Sequence, residues 1–281
     1  MRRITDSEIE GFKKYLNEEE RSPSTVERYL RDVTTFEKWL GEAEVCKGEV
    51  VKYKSLLCKK YASSSVNTIL SSLNGFFNYL EWFDLKIKTV RVQRQMFCSA
   101  EKELTLAEYE RLLDEAKGRG KEKLFLLLQT ICSTGIRISE LRFITVESVR
   151  MGVAEIQCKG KRRIAFLPTE LCKMLQKYTK KAGIESGSVF VTRSGIPLDR
   201  SNVWSSIKRL CRAAGVAEEK GFPHNLRHLF ARTYYKKEKD IVRLADILGH
   251  SSVNTTRIYT MESGEVHRKQ IQKLGLLRAT T

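Results

Sequence analysis

Acid is scarce in this chain. Its 281 residues hold 34 Asp and Glu against 51 Lys and Arg, a formal net charge of +17. A protein that repels itself this strongly calls for a polyanionic partner, with solubility as the plainer explanation. Histidine is scarce too, with four in all. His224 and His228 stand four apart, which suits a metal on a helix, but HNLRH lacks the acid of H-E-x-x-H, so no metal site is expected. The cysteines at 46, 58, 98, 132, 158, 172 and 211 contain no C-x-x-C, and none stands at ligand spacing from a histidine. An odd, scattered set reads as reduced, mostly buried thiols of an intracellular protein. Long apolar runs are missing as well. LFLLLQTIC, from Leu124, is too short to span a bilayer, and MRRITDSEIEGF has no apolar core for export, so a cytoplasmic protein without a membrane partner is expected. There is no G-x-x-x-x-G-K-[ST] loop, no internal repeat and no low-complexity tract.

What is present is mainly helix, in a chain long enough for two domains with separate cores. Residues 1–83 read as four helices. TDSEIEGFKKYLNEEE has Asp6 or Ser7 as its cap, SPSTVERYLRDVTTFEKWLG runs from a serine near Pro23 to Gly41, and GEVVKYKSLLCKKY and SSSVNTILSSLNGFFNYLEWF follow. Their basic and hydroxyl faces suit a small bundle that grips phosphates. From 84 to 102 the periodicity fails, and Arg91 and Arg94 belong to a basic linker that reads equally as a backbone-tracking connector or as solvated chain. From 103 onward helices surround two short strands, VAEIQC and RIAFLP, joined by the turn KGKRR, with a further brief strand SVFV. The fold class expected is mainly α with a small antiparallel β-sheet.

A few charged residues stand out by position. Arg137 lies two after a glycine in STGIRISEL; His224 and Arg227 are three apart in HNLRH; Lys159 and Lys161 sit at the hairpin; and LADILGHSSVNTTRIYT places His250 just past a helix-stopping Gly249, nine residues before Tyr259. Each has an ordinary structural explanation: surface or salt-bridge arginines, a solvated turn, a capping histidine, a packed tyrosine. Together they form a chemical inventory. Two guanidiniums can hold the non-bridging oxygens of one phosphodiester and offset the charge of a pentavalent phosphorane. A tyrosine can attack phosphorus, a histidine can share its proton, and a lysine can protonate the departing 5′ oxygen. None of these steps needs a metal or a cofactor.

At these residues the sequence resembles the tyrosine recombinase (integrase) family, most like its Xer type. TGIRISEL resembles the family's first arginine box, HNLRHLFA its H-x-x-R box and LGHSSVNTTRIYT its final His-to-Tyr box, in matching order and spacing. The resemblance is strong from 104 to about 262 and looser in SPSTVERYLRDVTTFEKWL, which is similar to the core-binding domain. It implies a core-binding domain at 1–83, a linker at 84–102, and an α+β catalytic domain with a C-terminal tail at 103–281. Arg137 and Arg227 would bind the scissile phosphate, supported by His224 and His250. Tyr259 would form a 3′-phosphotyrosyl link, Lys159 would be the general acid, and Glu140 and His228 would orient these groups. Arg91, Arg94, Lys161 and Arg162 are the further DNA-contact candidates.

Two departures from the family pattern stand out. The hairpin CKGKRRI is one residue shorter than G-K-G-x-K-x-R, so Lys161 competes with Lys159, which is favoured because it directly follows the strand. YYKKEKDIV has lysines where relatives usually have a glycine, which alters a turn.

The resemblance implies a two-domain clamp on duplex DNA at a short near-palindromic site. Four protomers would assemble there, pass through a Holliday junction and resolve chromosome dimers in cell division and chromosome partition. The rivals are the integrase of a virus or mobile element, a type IB topoisomerase, and a DNA-binding regulator that has lost turnover. Beyond Tyr259, Val266, Ile271, Leu274 and Leu277 give a short basic helix an apolar side, which would pack on its own domain or dock in a neighbouring protomer.

Overall fold

The computed structural model describes residues 2–91, 103–158, 161–259 and 272–274, with Cys158 and Lys161 described by their backbone alone. The chain forms two units, Met1–Arg94 and Gln95–Thr281, each with its own hydrophobic core.

The first unit is built on α1 (Asp6–Glu18), α2 (Pro23–Leu40), α3 (Lys47–Lys60) and α4 (Ser63–Tyr79). The cap of helix α1 is Thr5, one residue before Asp6, the earlier of the two expected caps. Thr5 Oγ1 accepts the Glu8 N–H, and the Glu8 carboxylate accepts the Thr5 N–H at 2.8 Å. That reciprocal pairing needs a hydroxyl three residues before a glutamate; Asp6 has neither, and Ser7, which has Glu10 at that spacing, lies inside the helix. Phe12, Phe36, Leu70, Leu73, Phe76 and Phe77 are fully buried between the helices, and the buried Ser72 hydroxyl donates to Asp32 at 2.8 Å, tying α4 to α2.

The Ser- and Asn-rich side of α4 is partly taken by the chain itself. Asn74 donates to the Ile87 carbonyl and accepts its N–H, at 2.9 and 3.0 Å, and Asn67 does the same for Val90 at 2.9 and 2.7 Å. Seven residues make two helical turns, so both amides lie along one side and act as a partner strand for an extended segment. Lys47 and Lys54 on α3 donate to the carbonyls of Lys86 and Lys88. The hydroxyls of Thr68 and Ser71 turn back to carbonyls four residues earlier. Residues 84–91, read above as the start of the linker, are therefore laid on the first unit.

The second unit contains α5 (Leu106–Gly118), α6 (Glu122–Thr134), α7 (Val146–Met151), β1 (Val153–Cys158), β2 (Lys161–Phe166), α8 (Thr169–Ala182), α9 (Arg200–Ala213), α10 (Pro223–Glu238), α11 (Ile241–Leu248) and α12 (Val253–Thr256). Leu124, Leu126, Leu127, Leu128 and Ile131 are buried around all sides of α6, which packs against α5, α8 and α10. A helix apolar all round belongs at the centre of a domain.

Strands β1 and β2 pair antiparallel, with Val153 opposite Phe166, Ile156 opposite Arg163 and Cys158 opposite Lys161. Pairing thus continues to Lys161, two residues before the expected start of RIAFLP, so Lys161 and Arg162 are strand residues rather than parts of the expected KGKRR turn. SVFV forms no strand of its own: Ser188 and Val191 make isolated bridges to Thr145 and Pro197. Of the cysteines described, Cys132 is partly buried and Cys172 and Cys211 are buried, but Cys46 and Cys58 are exposed. No helix among the described residues is long and apolar enough to cross a membrane.

Candidate active site

Three chain reversals gather the predicted groups. The first follows α6. Gly135 takes the left-handed conformation (φ 65°), and a Cβ there would meet the Phe230 ring at 2.5 Å, so only glycine turns the chain in this space. Arg137 follows, with its N–H and Nη1 donating to the two oxygens of Glu140 at 2.7 and 2.9 Å. The Arg137 side chain is 39% exposed, whereas Glu140 is only 2% exposed. Burial alone would raise the Glu140 pKa; hydrogen bonds from Arg163 and from Arg137 outweigh it and hold the carboxyl below its ordinary value.

The second reversal leads into α10, whose first turn begins at Pro223. Arg227, one helical turn in, is 1% exposed. Its Nη1 donates to the Gly135 carbonyl, and its Nη2 donates to the Leu248 carbonyl at 2.7 Å and to His250 Nε2 at 3.1 Å. Both carbonyls lie at helix ends, where the backbone has acceptors without helical partners. Of five N–H donors three are used, and Nε is buried without a partner. Burial, with the charge of Arg137 next, lowers the Arg227 pKa to about 10, which leaves it cationic at neutral pH.

The third reversal is Gly249, left-handed at φ 64°, which closes α11 and delivers His250. Arginine has no acceptor, so His250 Nε2 must be unprotonated to receive Arg227; the proton then sits on Nδ1, which donates to Thr256 Oγ1 at 2.8 Å. Burial and the neighbouring Arg227 and Arg137 push the His250 pKa down to about 4, in agreement with a neutral ring.

Tyr259 ends the short 3-10 turn Arg257–Tyr259 and is 4% exposed. Its ring stands edge-on to His228 at 4.9 Å and lies nearly parallel to His250 at 6.1 Å, over a cluster that includes Ala231, Leu244 and Leu248. His224 meets His228 edge-on at 4.6 Å. Desolvation and then the charges of Arg227, Arg137 and Arg200 lower the His224 pKa; desolvation, His224 and Arg227 push His228 down to about 4. His228 Nε2 is buried without a partner.

Arg137, Glu140, His224, Arg227, His228, His250 and Tyr259 are thus brought into one site. Arg162 is exposed on β2 opposite Gln157, and Arg91 is exposed in the first unit. Lys159 and Arg94, and the side chain of Lys161, lie outside the described residues, as do tail residues 260–271 and 275–281. Two contributors were not among the sequence candidates. Thr256, fully buried, fixes the His250 tautomer, and the TT of VNTTRIY is its only trace in the sequence. Arg163 donates to Glu140 at 2.6 Å; it opens the expected strand RIAFLP, and alternation with the buried Ala165 was the signal that could have found it.

This geometry has parallels in known proteins. Residues 102–265 match the phage integrase family, and residues 9–83 match the phage integrase N-terminal SAM-like domain. The chain belongs to the phage integrase family. It is a tyrosine recombinase of Xer type, a DNA strand-cleaving and strand-joining enzyme of site-specific recombination. Tyrosine recombinase XerA of Thermococcus kodakarensis is 30% identical over 280 residues, spanning 96% of this chain and 95% of that protein. Among solved structures, the XerH recombinase bound to a palindromic difH substrate in a post-cleavage complex aligns with a TM-score of 0.72 at 20% identity, over 96% of this chain and 84% of that one. A lambda integrase tetramer bound to a Holliday junction aligns with a TM-score of 0.72 at 18% identity, over 90% and 76%. At these identities the two structures show the shared fold of the tyrosine recombinases.

Proposed function

We propose that this recombinase acts as an Xer-like resolvase of joined circular chromosomes, working in the cytoplasm as a tetramer on two copies of a short near-palindromic DNA site. The observation that carries the catalytic part is the placement of Tyr259, packed between His228 and His250 within the field of Arg227, whose guanidinium is held on one side and has a free Nε on another. The Xer part is supported by similarity to XerA along nearly the whole chain.

Arg137 and Arg227 hold the non-bridging oxygens of the scissile phosphodiester. The Tyr259 oxygen attacks phosphorus, forming a P–O(Tyr) bond while the bond to the 5′ oxygen breaks. Its proton passes to a neutral imidazole, either His224 or, once Arg227 turns from His250 Nε2 to the phosphate, His250. The 5′ oxygen leaves as a hydroxyl after taking a proton from Lys159, with Lys161 as the competing donor. The phosphotyrosine retains the energy of the broken bond, so a 5′ hydroxyl from the partner strand can reverse the step without ATP. Guanidiniums offset the charge on phosphorus, and the scheme uses no metal. Arg91, Arg94, Lys161 and Arg162 contact the DNA backbone.

The test is to incubate the full chain with a library of nicked duplexes, isolate SDS-resistant adducts and sequence the captured DNA. Tyr259→Phe removes only the attacking oxygen and should abolish the adducts while binding survives. Adducts at the wild-type level would reject the assignment of Tyr259. Captured sites at the ends of a mobile element would replace the chromosomal role with an integrase, and a wild-type protein that binds but traps nothing would point to an inactive regulator.

A further inference from the structure

Arg163 stands where three parts of the site meet. It lies on β2, immediately after the segment that carries Lys159 and Lys161, and its side chain is 12% exposed. Nη2 donates to Glu140 Oε2 at 2.6 Å, the same oxygen that accepts the Arg137 N–H. Nη1 donates to the Ile247 carbonyl at 2.7 Å, one residue before the Leu248 carbonyl that holds Arg227 and three before His250. On its way the arginine passes directly over Gly249, where a Cβ would lie 2.2 Å from Arg163 Cδ. Glycine at 249 therefore does two things: it reverses the chain at φ 64° and leaves room for this side chain.

We propose that Arg163 is a positioning residue that locks Arg137, Arg227 and His250 into one frame, acting through Glu140 on one side and the end of α11 on the other. The inference rests on the reading that these arginines hold the scissile phosphate. Glu140 is bound on both oxygens, by Arg137 on one and by Arg137 and Arg163 on the other, which leaves its carboxylate one orientation. Without Arg163, the carboxylate that orients Arg137 is free to turn about its last torsion, and the α11 end loses its tie to β2. Lysine is a poor substitute, because one ammonium on a flexible stem cannot span Glu140 and the Ile247 carbonyl as a planar fork does. Three guanidiniums around one buried carboxylate also leave the site with surplus positive charge, suited to a phosphodiester that gains negative charge as it reacts.

The experiment uses full-length protein and the duplex recovered by adduct capture, in three forms: an ordinary phosphodiester, a bridging 5′ sulfur that departs without a proton, and a neutral methylphosphonate. Single-turnover cleavage at saturating DNA is compared for wild type, Arg163→Lys, Arg163→Gln, Glu140→Gln and the Arg163→Gln/Glu140→Gln pair. A misplaced phosphate clamp should slow Arg163→Lys about 10- to 100-fold on the ordinary duplex, with half-site affinity within about twofold of wild type. The sulfur substrate should leave that deficit in place, because the leaving group is not at fault. The methylphosphonate, which carries one negative charge fewer in the ground state and in the phosphorane, should shrink it to about threefold. The paired variant should be no slower than the worse of Arg163→Gln and Glu140→Gln measured singly, because both act on one element.

Recovery on the sulfur substrate would overturn the proposal and assign Arg163 to the general acid. Wild-type cleavage by Arg163→Lys, or multiplicative losses in the pair, would overturn it equally. Should Arg163→Lys melt below the assay temperature, the Arg163→Gln/Glu140→Gln pair, which removes one charge of each sign and so leaves the site's net charge unchanged, carries the same three-substrate test. Failure of the wild-type protein to form an adduct would count against the phosphate-site reading itself, which keeps the two failures distinct.

Discussion

In the first unit Asn67 and Asn74 turn both ends of their amides onto the backbone of Val90 and Ile87. In the second unit Arg227 is at least as deeply buried, yet its Nε has no partner, and His228 Nε2 beside it has none either. The amides serve the fold, so donor meets acceptor at each contact and nothing is left over. The guanidinium is fixed by two carbonyls and an imidazole on one part of its rim while another donor waits. Leaving a buried donor unmatched costs about 1–3 kcal/mol. A phosphate oxygen at Arg227 Nε would remove that cost. Arg28 Nε in the first unit and Arg163 Nε in the second are orphaned in the same way, so the orphan points to phosphate only beside Arg137, His250 and Tyr259.

The contrast is broken most forcefully at Arg227. Arg227→Lys keeps the charge but offers one nitrogen to three acceptors spread over Gly135, Leu248 and His250. Cleavage should fall by about 10²- to 10³-fold, the scale for losing a donor aimed at a transition state. DNA affinity, which comes from many backbone contacts, should change little. Single-turnover adduct formation beside a gel-shift titration separates the two, and a wild-type cleavage rate would show that point charge alone suffices.

Acid should reach the two units unequally. All four histidines lie at or beyond position 224, and His228 and His250 have folded pKa values of about 4 against about 6.5 in an unfolded chain. Between those values the unfolded state binds more protons, so stability is complete above pH ~6.5 and is lost as the pH falls toward ~4. The loss should be on the order of 2 kcal/mol per ring, once partial exposure is allowed for. Denaturant unfolding followed by region-resolved proteolysis should show the second unit weakening over this window while the first holds. His228→Phe should remove about half of the slope, and an unchanged slope would mean that His228 is not the titrating group.

Asn74→Ala tests the other side of the comparison. Ile87 loses partners for both its N–H and its carbonyl, so urea unfolding should show a cost of about 1–2 kcal/mol. Cleavage per folded molecule should stay at the wild-type rate, and a catalytic loss without a stability loss would place Asn74 on DNA instead.

The same division explains what could be read from the chain. Arg137, His224, Arg227, His250 and Tyr259 were legible because each lies in a short box beside a glycine or proline that marks the end of an element. Helix α6 and strand β1 were legible because their apolar patterns are local. The roles of Asn67 and Asn74 were not legible, because an amide has the same composition whether it faces a phosphate or its own chain 13 to 23 residues away. Arg163 was hidden because it falls where the expected turn KGKRR and the expected strand RIAFLP overlap; pairing that continues two residues further, to Lys161, makes it an interior strand position. Contacts between distant segments decide such cases, and periodicity does not record them.

The smallest predicted effect compares backbone strain in the two units. Glu81 just past α4 and Lys239 just past α10 both adopt left-handed φ of 57°, a region where a side chain costs roughly 1 kcal/mol and glycine is at ease. They differ in charge. A helix C-terminus carries partial negative charge, so Lys239 is favoured there and exposed Glu81 is not. Lys239 also places its ammonium 5.4 Å from the Tyr235 ring, an attraction that glycine would forfeit. Glu81→Gly should therefore stabilise the first unit by about 1 kcal/mol, and Lys239→Gly the second by only a few tenths. Urea midpoints at constant m-value measure both. If Lys239→Gly gained as much as Glu81→Gly, the charge at the α10 end and its contact with Tyr235 would contribute nothing, and the lysine would stand in that turn at the full cost of its strain.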